Sequence, residues 1–207
     1  MNRAFEDMFG VAGAFDGVEM AGRTDKWIVD NAAARAGVDL SGDNFERFQA
    51  RYFSRLSDAL REPGPGKGVL PGVRRLLETI DNCDSVFAAL LTGNCEQGAR
   101  IKLQHFDIWK FFRCGAYGDE VNDRNHLYDV AVQRAEACGA PRVDSHDVVV
   151  VGDTVLDVAC ARAAGARSVA VATGPCDLDT LRKSGADVVV RDLSDTAAFF
   201  QMLGVQI

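Results

Sequence analysis

Two acidic side chains lie four residues apart, directly after a bare run of valines. Asp153 follows Val148–Val151 at the tip of the predicted strand and Asp157 stands one helical turn later, so both carboxylates can face the same crevice. Two carboxylates this close repel each other unless a cation lies between them. Oxygen ligands with room for water are typical of a Mg²⁺ site, so we interpret both residues as candidate metal ligands. The alternative is that Asp153 caps the helix and Asp157 adds to an acidic first turn.

A second polar cluster follows the apolar run Val86–Leu91. Thr92, Gly93 and Asn94 combine a hydroxyl, a backbone without a side chain and an amide at the predicted start of a helix. Free N–H groups and the helix dipole favour an anion such as phosphate at that position. The alternative is a plain turn in which Asn94 caps the next helix.

The candidate cation of the chain is Arg124. It follows the loop 118–123 and stands at the start of its predicted helix, where Asn122 or Asp123 is the expected cap. A guanidinium there could hold a phosphoryl group and offset the acidic pair, but Arg124 taken alone favours the alternative of a solvated arginine. The three histidines are scattered without metal-ligand spacing, so we interpret them as surface or structural residues.

The charge of the chain limits its partners. The 207 residues carry a net charge of −7, which disfavours non-specific binding to nucleic acid or to an anionic membrane surface. The run Val86–Leu91 is far shorter than the roughly 18 apolar residues of a membrane span. A small anionic ligand needs only a few local cations, so it remains compatible with this charge.

Cysteine usage bears on the compartment. The six cysteines form no C-x-x-C pair, which disfavours a zinc ribbon or a thioredoxin-like motif. No basic stretch followed by an apolar stretch opens the sequence, as it would in a signal peptide. We therefore expect reduced thiols and a cytoplasmic location.

The sequence changes character near residue 63. Residues 1–62 read as helices, with Thr24 and Asp43 as expected caps and apolar residues at helical spacing behind each. Residues 63–68, which alternate Pro, Gly and Lys, form a loop by composition. We predict a helical domain over 1–62 and a second domain over 63–207.

Strands and helices alternate after this loop. Pro71 is predicted to open a helix that runs to about Ile80, at the favoured first position. Such alternation predicts an α/β fold with a doubly wound parallel sheet and right-handed crossovers. The predicted strands are Val86–Leu91, Arg113–Tyr117, Val148–Val151, Val169–Ala172 and Val188–Val190.

Taken in chain order, these motifs resemble those of the haloacid dehalogenase superfamily of phosphohydrolases. The resemblance runs from about Asn2 to Gly174. The segment 1–62 looks like the small helical cap that phosphoglycolate-phosphatase-like members insert after their first strand. The resemblance implies a Mg²⁺ site at Asp153 and Asp157. It also implies a phosphoryl-binding set made of Thr92, Gly93, Asn94 and Arg124, the last at a position where the family usually has lysine.

The cap contributes a further candidate. Gly22-Arg23-Thr24-Asp25 is similar to the cap loop that reaches the substrate in these phosphatases, so the resemblance implies a substrate contact for Arg23. The implied substrate is a small phosphorylated metabolite, with phosphoglycolate as the family-level default. The oligomeric state is left open.

The first motif of the family is missing from the sequence. Its form is an apolar strand that ends in Asp-x-Asp-Gly-Thr/Ser, in which the first aspartate is the nucleophile and the second the general acid/base. Phe15-Asp16-Gly17-Val18 lacks both the strand and the second aspartate, so we do not assign Asp16 as nucleophile. In the family this strand lies between those that we assign to Val86–Leu91 and Val148–Val151. We therefore expect a chain that lacks one strand and its loop.

Three functions remain open. The first is a Mg²⁺-dependent phosphate-monoester hydrolase that works through an aspartyl-phosphate and is inactive without the missing motif. The second is a non-catalytic regulatory protein that retains a phosphate- and metal-binding crevice. The third is a 2-haloacid dehalogenase, which needs no metal and would leave the pair Asp153 and Asp157 without a purpose.

Overall fold

The computed structural model describes residues 1–64, 67–119 and 123–205. Within these ranges the chain forms helices, parallel strands and three short 3₁₀ turns, which confirms the predicted α/β class with helices at the N-terminal end. The helices and strands, in chain order, are α1 Asn2–Phe9, α2 Asp25–Ala36, α3 Asn44–Arg61, α4 Val73–Asp81, β1 Leu90–Leu91, α5 Glu96–His105, β2 Gly115–Ala116, α6 Leu127–Ala137, β3 Val149–Gly152, α7 Val155–Ala163, β4 Arg167–Val171, α8 Leu178–Lys183, β5 Val188–Val190 and α9 Thr196–Leu203.

The first three helices enclose one hydrophobic core. Phe5 and Phe48 are fully buried in it, and Ile28 and Val29 of α2 pack against them. The rings of Phe5 and Phe48 meet edge-on, with centroids 5.7 Å apart, which is a favourable aromatic arrangement. Thr24 caps α2 as predicted, since its hydroxyl accepts a hydrogen bond from the Trp27 N–H at 3.2 Å.

The predicted boundary loop is only partly described, since Pro65 and Gly66 lie outside the described residues. Lys67 donates hydrogen bonds from Nζ to the backbone carbonyls of Ala59 and Glu62, at 2.6 and 2.7 Å. A lysine at this place satisfies carbonyl groups that the end of α3 leaves without a partner. The division into domains at residue 62 stays a prediction.

The strands of the second half form two separate parallel sheets. β1 pairs with β2, and β3, β4 and β5 pair in that order. β4 is the central strand of the larger sheet, and four of its five residues are buried. All strand pairs in these sheets are parallel, as the alternation of strands and helices predicted.

β1 is much shorter than its apolar sequence suggested. A strand was predicted over Val86–Leu91, but only Leu90–Leu91 has strand structure. β2 is likewise two residues long, at Gly115–Ala116, where Arg113–Tyr117 was predicted. The physical reason is that β1 finds one short partner, and a strand continues only as far as a neighbour supplies hydrogen bonds.

One edge of β1 and one edge of β3 border the same cavity. The N–H groups of Leu90 and Thr92 donate toward β2, so the backbone of Leu91 points to the opposite side by the alternation of a parallel ladder. By the same alternation Val151 points away from β4. Both residues line a cavity of about 1160 Å³, and no strand among the described residues pairs with these two edges. Val151 is 42% exposed, which is unusual in an all-apolar strand.

The helix α4 begins later than predicted. Pro71 was expected at its first position, but the helix starts at Val73 with Gly72 as N-cap in the left-handed conformation, at φ 82°. A Cβ at Gly72 would overlap the backbone of Leu193, whose N–H donates to the Pro71 carbonyl at 3.2 Å. Tight packing of this turn against the chain before α9 therefore determines the start of the helix.

None of the described helices is long and apolar enough to cross a membrane.

Candidate active site

All seven candidate site residues predicted from the sequence line the cavity between the two sheets. Five of them, Thr92, Gly93, Asn94, Asp153 and Asp157, lie at or just beyond the carboxyl ends of β1 and β3, where ligands bind in open α/β sheets. The other two also line the cavity: Arg23 comes from the loop before α2, and Arg124 from the 3₁₀ turn before α6. The structure thus brings all seven residues together, while their chemical roles remain predictions.

Thr92 and Asn94 form a compact turn. The Thr92 Oγ1 accepts hydrogen bonds from the Asn94 backbone N–H at 3.1 Å and from its side-chain Nδ2 at 3.0 Å. In the alternative interpretation Asn94 would cap α5, but the N-cap residue is Cys95. The side chain of Asn94 is instead used within the turn, where it orients the hydroxyl of Thr92.

Two carboxylates occupy the N-terminus of α5. The Cys95 N–H donates to Asp25 Oδ2 at 3.0 Å, and the Glu96 N–H donates to both oxygens of Asp119 at 3.3 and 3.4 Å. Burial raises the pKa of the Asp25 carboxyl, and burial raises that of the Cys95 thiol to about 12. The predicted binding of phosphate to these first N–H groups would therefore compete with the chain's own carboxylates, which leaves the Thr92 hydroxyl as the more accessible donor.

Gly93 lies directly against the loop before α2. The Asp25 N–H donates to the Gly93 carbonyl at 2.6 Å, and a Cβ at Gly93 would overlap the carbonyl oxygen of Arg23. Only glycine allows the two backbones this close. Gly93 therefore fixes the distance between the loop that carries Arg23 and the loop that carries Thr92.

Arg124 connects α7 to the same loop before α2. Its Nη2 forms a short ion pair with Asp157, and its Nη1 donates to the Gly22 carbonyl at 3.0 Å. The side chains are 15% and 7% exposed, so this pair is largely shielded from water. The Nε of Arg124 is buried without a hydrogen-bond partner among the described residues. The predicted cap Asn122 lies outside those residues, and Asp123 caps the 3₁₀ turn by accepting from the Asn125 N–H.

Asp157 uses both of its oxygens within the protein. Oδ2 accepts from the Asp153 N–H at 3.2 Å, from the Thr154 N–H at 3.0 Å and from the Thr154 hydroxyl at 2.7 Å, while Oδ1 accepts from Arg124. Thr154 and Asp157 form a reciprocal capping box at the start of α7. The N-cap of this helix is therefore Thr154, and the alternative that Asp153 caps it is wrong.

The Asp153 carboxylate has fewer hydrogen-bond partners than that of Asp157. It is half-buried, and no described side chain donates a hydrogen bond to it. Burial raises the pKa of this carboxyl, and the negative charge of Asp157 raises it further. A Cβ at Gly174 would overlap the Asp153 carboxylate, so glycine there leaves room for the acid. An anion that is destabilised in this way favours a nearby cation.

The fit to a magnesium ion rests on Asp153. The described residues hold no cluster of three or more His, Cys, Asp or Glu in metal-binding arrangement. Mg²⁺ commonly takes one or two carboxylates and completes its shell with water and phosphate oxygens. Asp153 suits this role, whereas Asp157 already accepts three hydrogen bonds on Oδ2 and the Arg124 ion pair on Oδ1, which leaves it less capacity for a metal.

Arg23 lies at the edge of the cavity. Its Nη2 pairs with Glu19 at 2.8 Å, and its guanidinium lies over the ring of Trp27 at 4.6 Å from the centroid. Its Nε is buried without a partner among the described residues, as is that of Arg124. Two unsatisfied guanidinium N–H groups at one cavity are a favourable setting for an anion.

Two further residues of this site were not found from the sequence. Asp25 stands one residue after the helix cap Thr24, where an acid looks like an ordinary first-turn residue. Lys102 donates to the Asn94 side-chain oxygen and lines the cavity. Lys102 stands eight residues after Asn94, about two turns of helix, and this spacing could have indicated that the two side chains lie on the same side of α5. Asp16 lies in a turn, is exposed and accepts from Asn2, with no strand before it.

Two sequence comparisons find similar proteins. The HAD-hydrolase-like family profile matches residues 124–196. A phosphoglycolate phosphatase from Chromobacterium violaceum is 27% identical over 168 residues, which span 81% of this chain and 69% of that protein.

Solved structures share the fold. A hydrolase from Pseudomonas syringae superposes with a TM-score of 0.63 at 23% identity, over 87% of this chain and 79% of that one. A predicted phosphoglycolate phosphatase from Haemophilus somnus gives 0.68 at 17% identity, over 97% and 88%. The family profile and the sequence match therefore agree with the resemblance of this chain to hydrolases of the haloacid dehalogenase superfamily, and the solved structures show that the fold is shared.

Proposed function

We propose that the chain is a Mg²⁺-dependent phosphate-monoester hydrolase that works through an aspartyl-phosphate, and that these 207 residues alone turn over little or no substrate. The observation that carries the proposal is the convergence of Thr92, Arg124 and Asp153 on one cavity in a chain that matches a phosphatase. A hydroxyl donor, a guanidinium and a free carboxylate are the groups that phosphoryl transfer needs for positioning and for charge stabilisation.

The phosphoryl group would bind between Thr92 and Arg124. The Thr92 hydroxyl has a proton to donate, and the Arg124 Nε lacks a partner among the described residues. Arg23 would hold the rest of a small phosphorylated metabolite from the cap side. Phosphoglycolate suits this arrangement because its carboxylate gives Arg23 an anionic group, and the relative from Chromobacterium violaceum is named for it.

Asp153 would be the carboxylate that holds the metal. When bound there, Mg²⁺ would offset negative charge on the phosphoryl oxygens. Asp157 positions the backbone of Asp153 by accepting a hydrogen bond from the Asp153 N–H, and it holds Arg124 by the ion pair. A direct contact of Asp157 with the metal remains part of the proposal and is testable by substitution.

The nucleophile is the missing component. The sequence contains no Asp-x-Asp-Gly-Thr/Ser string, and loss of a covalent catalyst costs roughly 10⁴–10⁶ in turnover. The cavity between β1 and β3 supports the proposed place of the motif, because an aspartate at the end of a strand there would lie beside Thr92 and Asp153. A cytoplasmic location with reduced thiols is part of the same proposal.

The test compares two chains. The 207-residue chain should hydrolyse p-nitrophenyl phosphate no faster than buffer with or without Mg²⁺. A longer chain, with an apolar strand ending in Asp-x-Asp-Gly-Thr before Met1, should gain Mg²⁺-dependent hydrolysis. In the longer chain Thr92→Val should lose most activity, and Asp157→Asn should raise the Mg²⁺ requirement.

Two results would contradict the proposal. One is Mg²⁺-dependent hydrolysis by the 207-residue chain that disappears with Asp153→Asn, since the chain would then hold its own nucleophile. The other is a longer chain that remains inactive although it folds and binds phosphate. That second result favours a non-catalytic phosphate-binding protein, which the lack of a nucleophile string already makes a real alternative.

A further inference from the structure

Lys102 reaches the cavity from the middle of α5. Its Nζ donates a hydrogen bond to the side-chain oxygen of Asn94, and the residue is half-buried. It lies near enough to the Asp25 carboxylate to lower the pKa of that group by its charge. The negative charge of Asp25 in turn offsets the charge of Lys102, so the lysine is poorly placed to act on a distant anion by charge alone.

Lys102 determines the orientation of the Asn94 amide. A lysine ammonium can only donate hydrogen bonds, so the Asn94 oxygen must face it. The amide nitrogen then faces Thr92, to which Nδ2 donates at 3.0 Å. Without Lys102 the two ends of the amide would be free to exchange places, since their shapes are nearly identical.

The orientation of Asn94 in turn determines what the Thr92 hydroxyl can do. A hydroxyl has two lone pairs and one proton. Both lone pairs of Thr92 Oγ1 accept from Asn94, one from the backbone N–H and one from Nδ2. No described group accepts the hydroxyl proton, so this proton is available to a ligand in the cavity.

We infer that Lys102 is a positioning residue that acts through Asn94 and keeps Thr92 a hydrogen-bond donor toward a phosphoryl oxygen. If the amide turned over, its oxygen would compete for the Thr92 proton, and the ligand would face an acceptor. The inference rests on the proposed function for the identity of the ligand, but the chain Lys102–Asn94–Thr92 exists without it.

The first experiment examines the chain without ligand. In the NMR spectrum of the 207-residue protein, the two Asn94 side-chain amide protons should resonate away from random-coil positions; their loss in Asn94→Asp assigns them. Lys102→Met should move them to random-coil values, Lys102→Arg should preserve them, and Lys110→Met, which removes an exposed lysine elsewhere, should leave them unchanged. Random-coil positions in the wild type, or no change in Lys102→Met, would overturn the inference.

The second experiment separates an indirect from a direct effect of Lys102. Calorimetry with inorganic phosphate should show affinity about tenfold weaker in Lys102→Met, the usual scale for a lost charged hydrogen bond. In an Asn94→Ala background the same substitution should have almost no further effect. An equal loss in both backgrounds would mean that Lys102 acts directly on the anion, and the inference would be wrong. A wild type with a fixed Asn94 amide but no phosphate binding would refute the phosphoryl site and leave the effect of Lys102 on Asn94 standing.

Discussion

The helical region before residue 63 and the α/β region after it bury their apolar residues in different ways. The helical region has one core around the aromatic rings of Phe5, Phe15 and Phe48. The α/β region divides its buried residues into four smaller clusters, and its strands form two sheets with a cavity between them.

The difference follows from how helices and strands satisfy their backbones. A helix makes its hydrogen bonds within one segment, so three amphipathic helices can close a core by side-chain packing alone. A parallel strand takes its hydrogen bonds from neighbours that are distant in sequence. The α/β region therefore leaves two strand edges at the cavity, while the helical region is closed.

The largest effect is expected from opening the helical core. Phe48 is 1% exposed, and Phe48→Ala should lower the free energy of unfolding by about 3–5 kcal/mol, because it removes a large ring and leaves a cavity. Urea denaturation measures the loss of unfolding free energy, and Leu70→Ala, a substitution at an exposed residue, is the control. A loss no greater than in the control would show that the helical core is loosely packed.

The next prediction compares two valines of the α/β region. Val158 of α7 is 1% exposed, and Val151 of β3 is 42% exposed. Val158→Ala should cost about 2 kcal/mol of unfolding free energy, whereas Val151→Ala should cost less than about 0.5 kcal/mol. Equal losses would mean that the β3 edge is covered in solution and that the two regions are closed alike.

A smaller effect is expected at the capping box of α7. Thr154→Ala removes the hydroxyl that accepts from the Asp157 N–H and donates to the Asp157 carboxylate, and should cost about 1 kcal/mol. Thr79→Ala, which removes a single exposed hydrogen bond from a hydroxyl to a backbone carbonyl in α4, is the matched control. If the two variants unfold at the same urea concentration, Asp157 is held by Arg124 without help from Thr154.

The smallest effect is expected where the two regions meet. Because burial raises the pKa of Asp25, the folded state binds a proton more tightly than the unfolded state. The contribution of Asp25 to stability is therefore present below its ordinary pKa and is lost as the pH rises through the raised value. Asp25→Asn keeps an acceptor for the Cys95 N–H and should remove this loss. The measurement is the difference between the two unfolding curves at about pH 4 and about pH 7. A constant difference would show that Asp25 is solvated.

Much of the local structure was predictable from the sequence. Thr24 caps α2 and Val188–Val190 forms β5, as predicted, because a cap and a short apolar run are local signals. The length of β1 was not predictable, since Val86–Ala89 is as apolar as Leu90–Leu91 and differs only in lacking a partner. Asn94 had the side chain of a cap, but Lys102 and Thr92 engage it elsewhere.

By itself, the sequence determined the order of helices and strands and the residue types that meet at the cavity, because hydrophobic spacing and turn chemistry act over a few residues. Only the tertiary structure decided what each polar group of the site is free to do. Asp153 and Asp157 look alike in sequence, yet both oxygens of Asp157 accept hydrogen bonds from other described residues, whereas no described side chain donates to Asp153. The reason is that hydrogen-bond partners such as Arg124 arrive from distant segments, and a carboxylate or hydroxyl can serve a ligand only with the positions that those partners leave open.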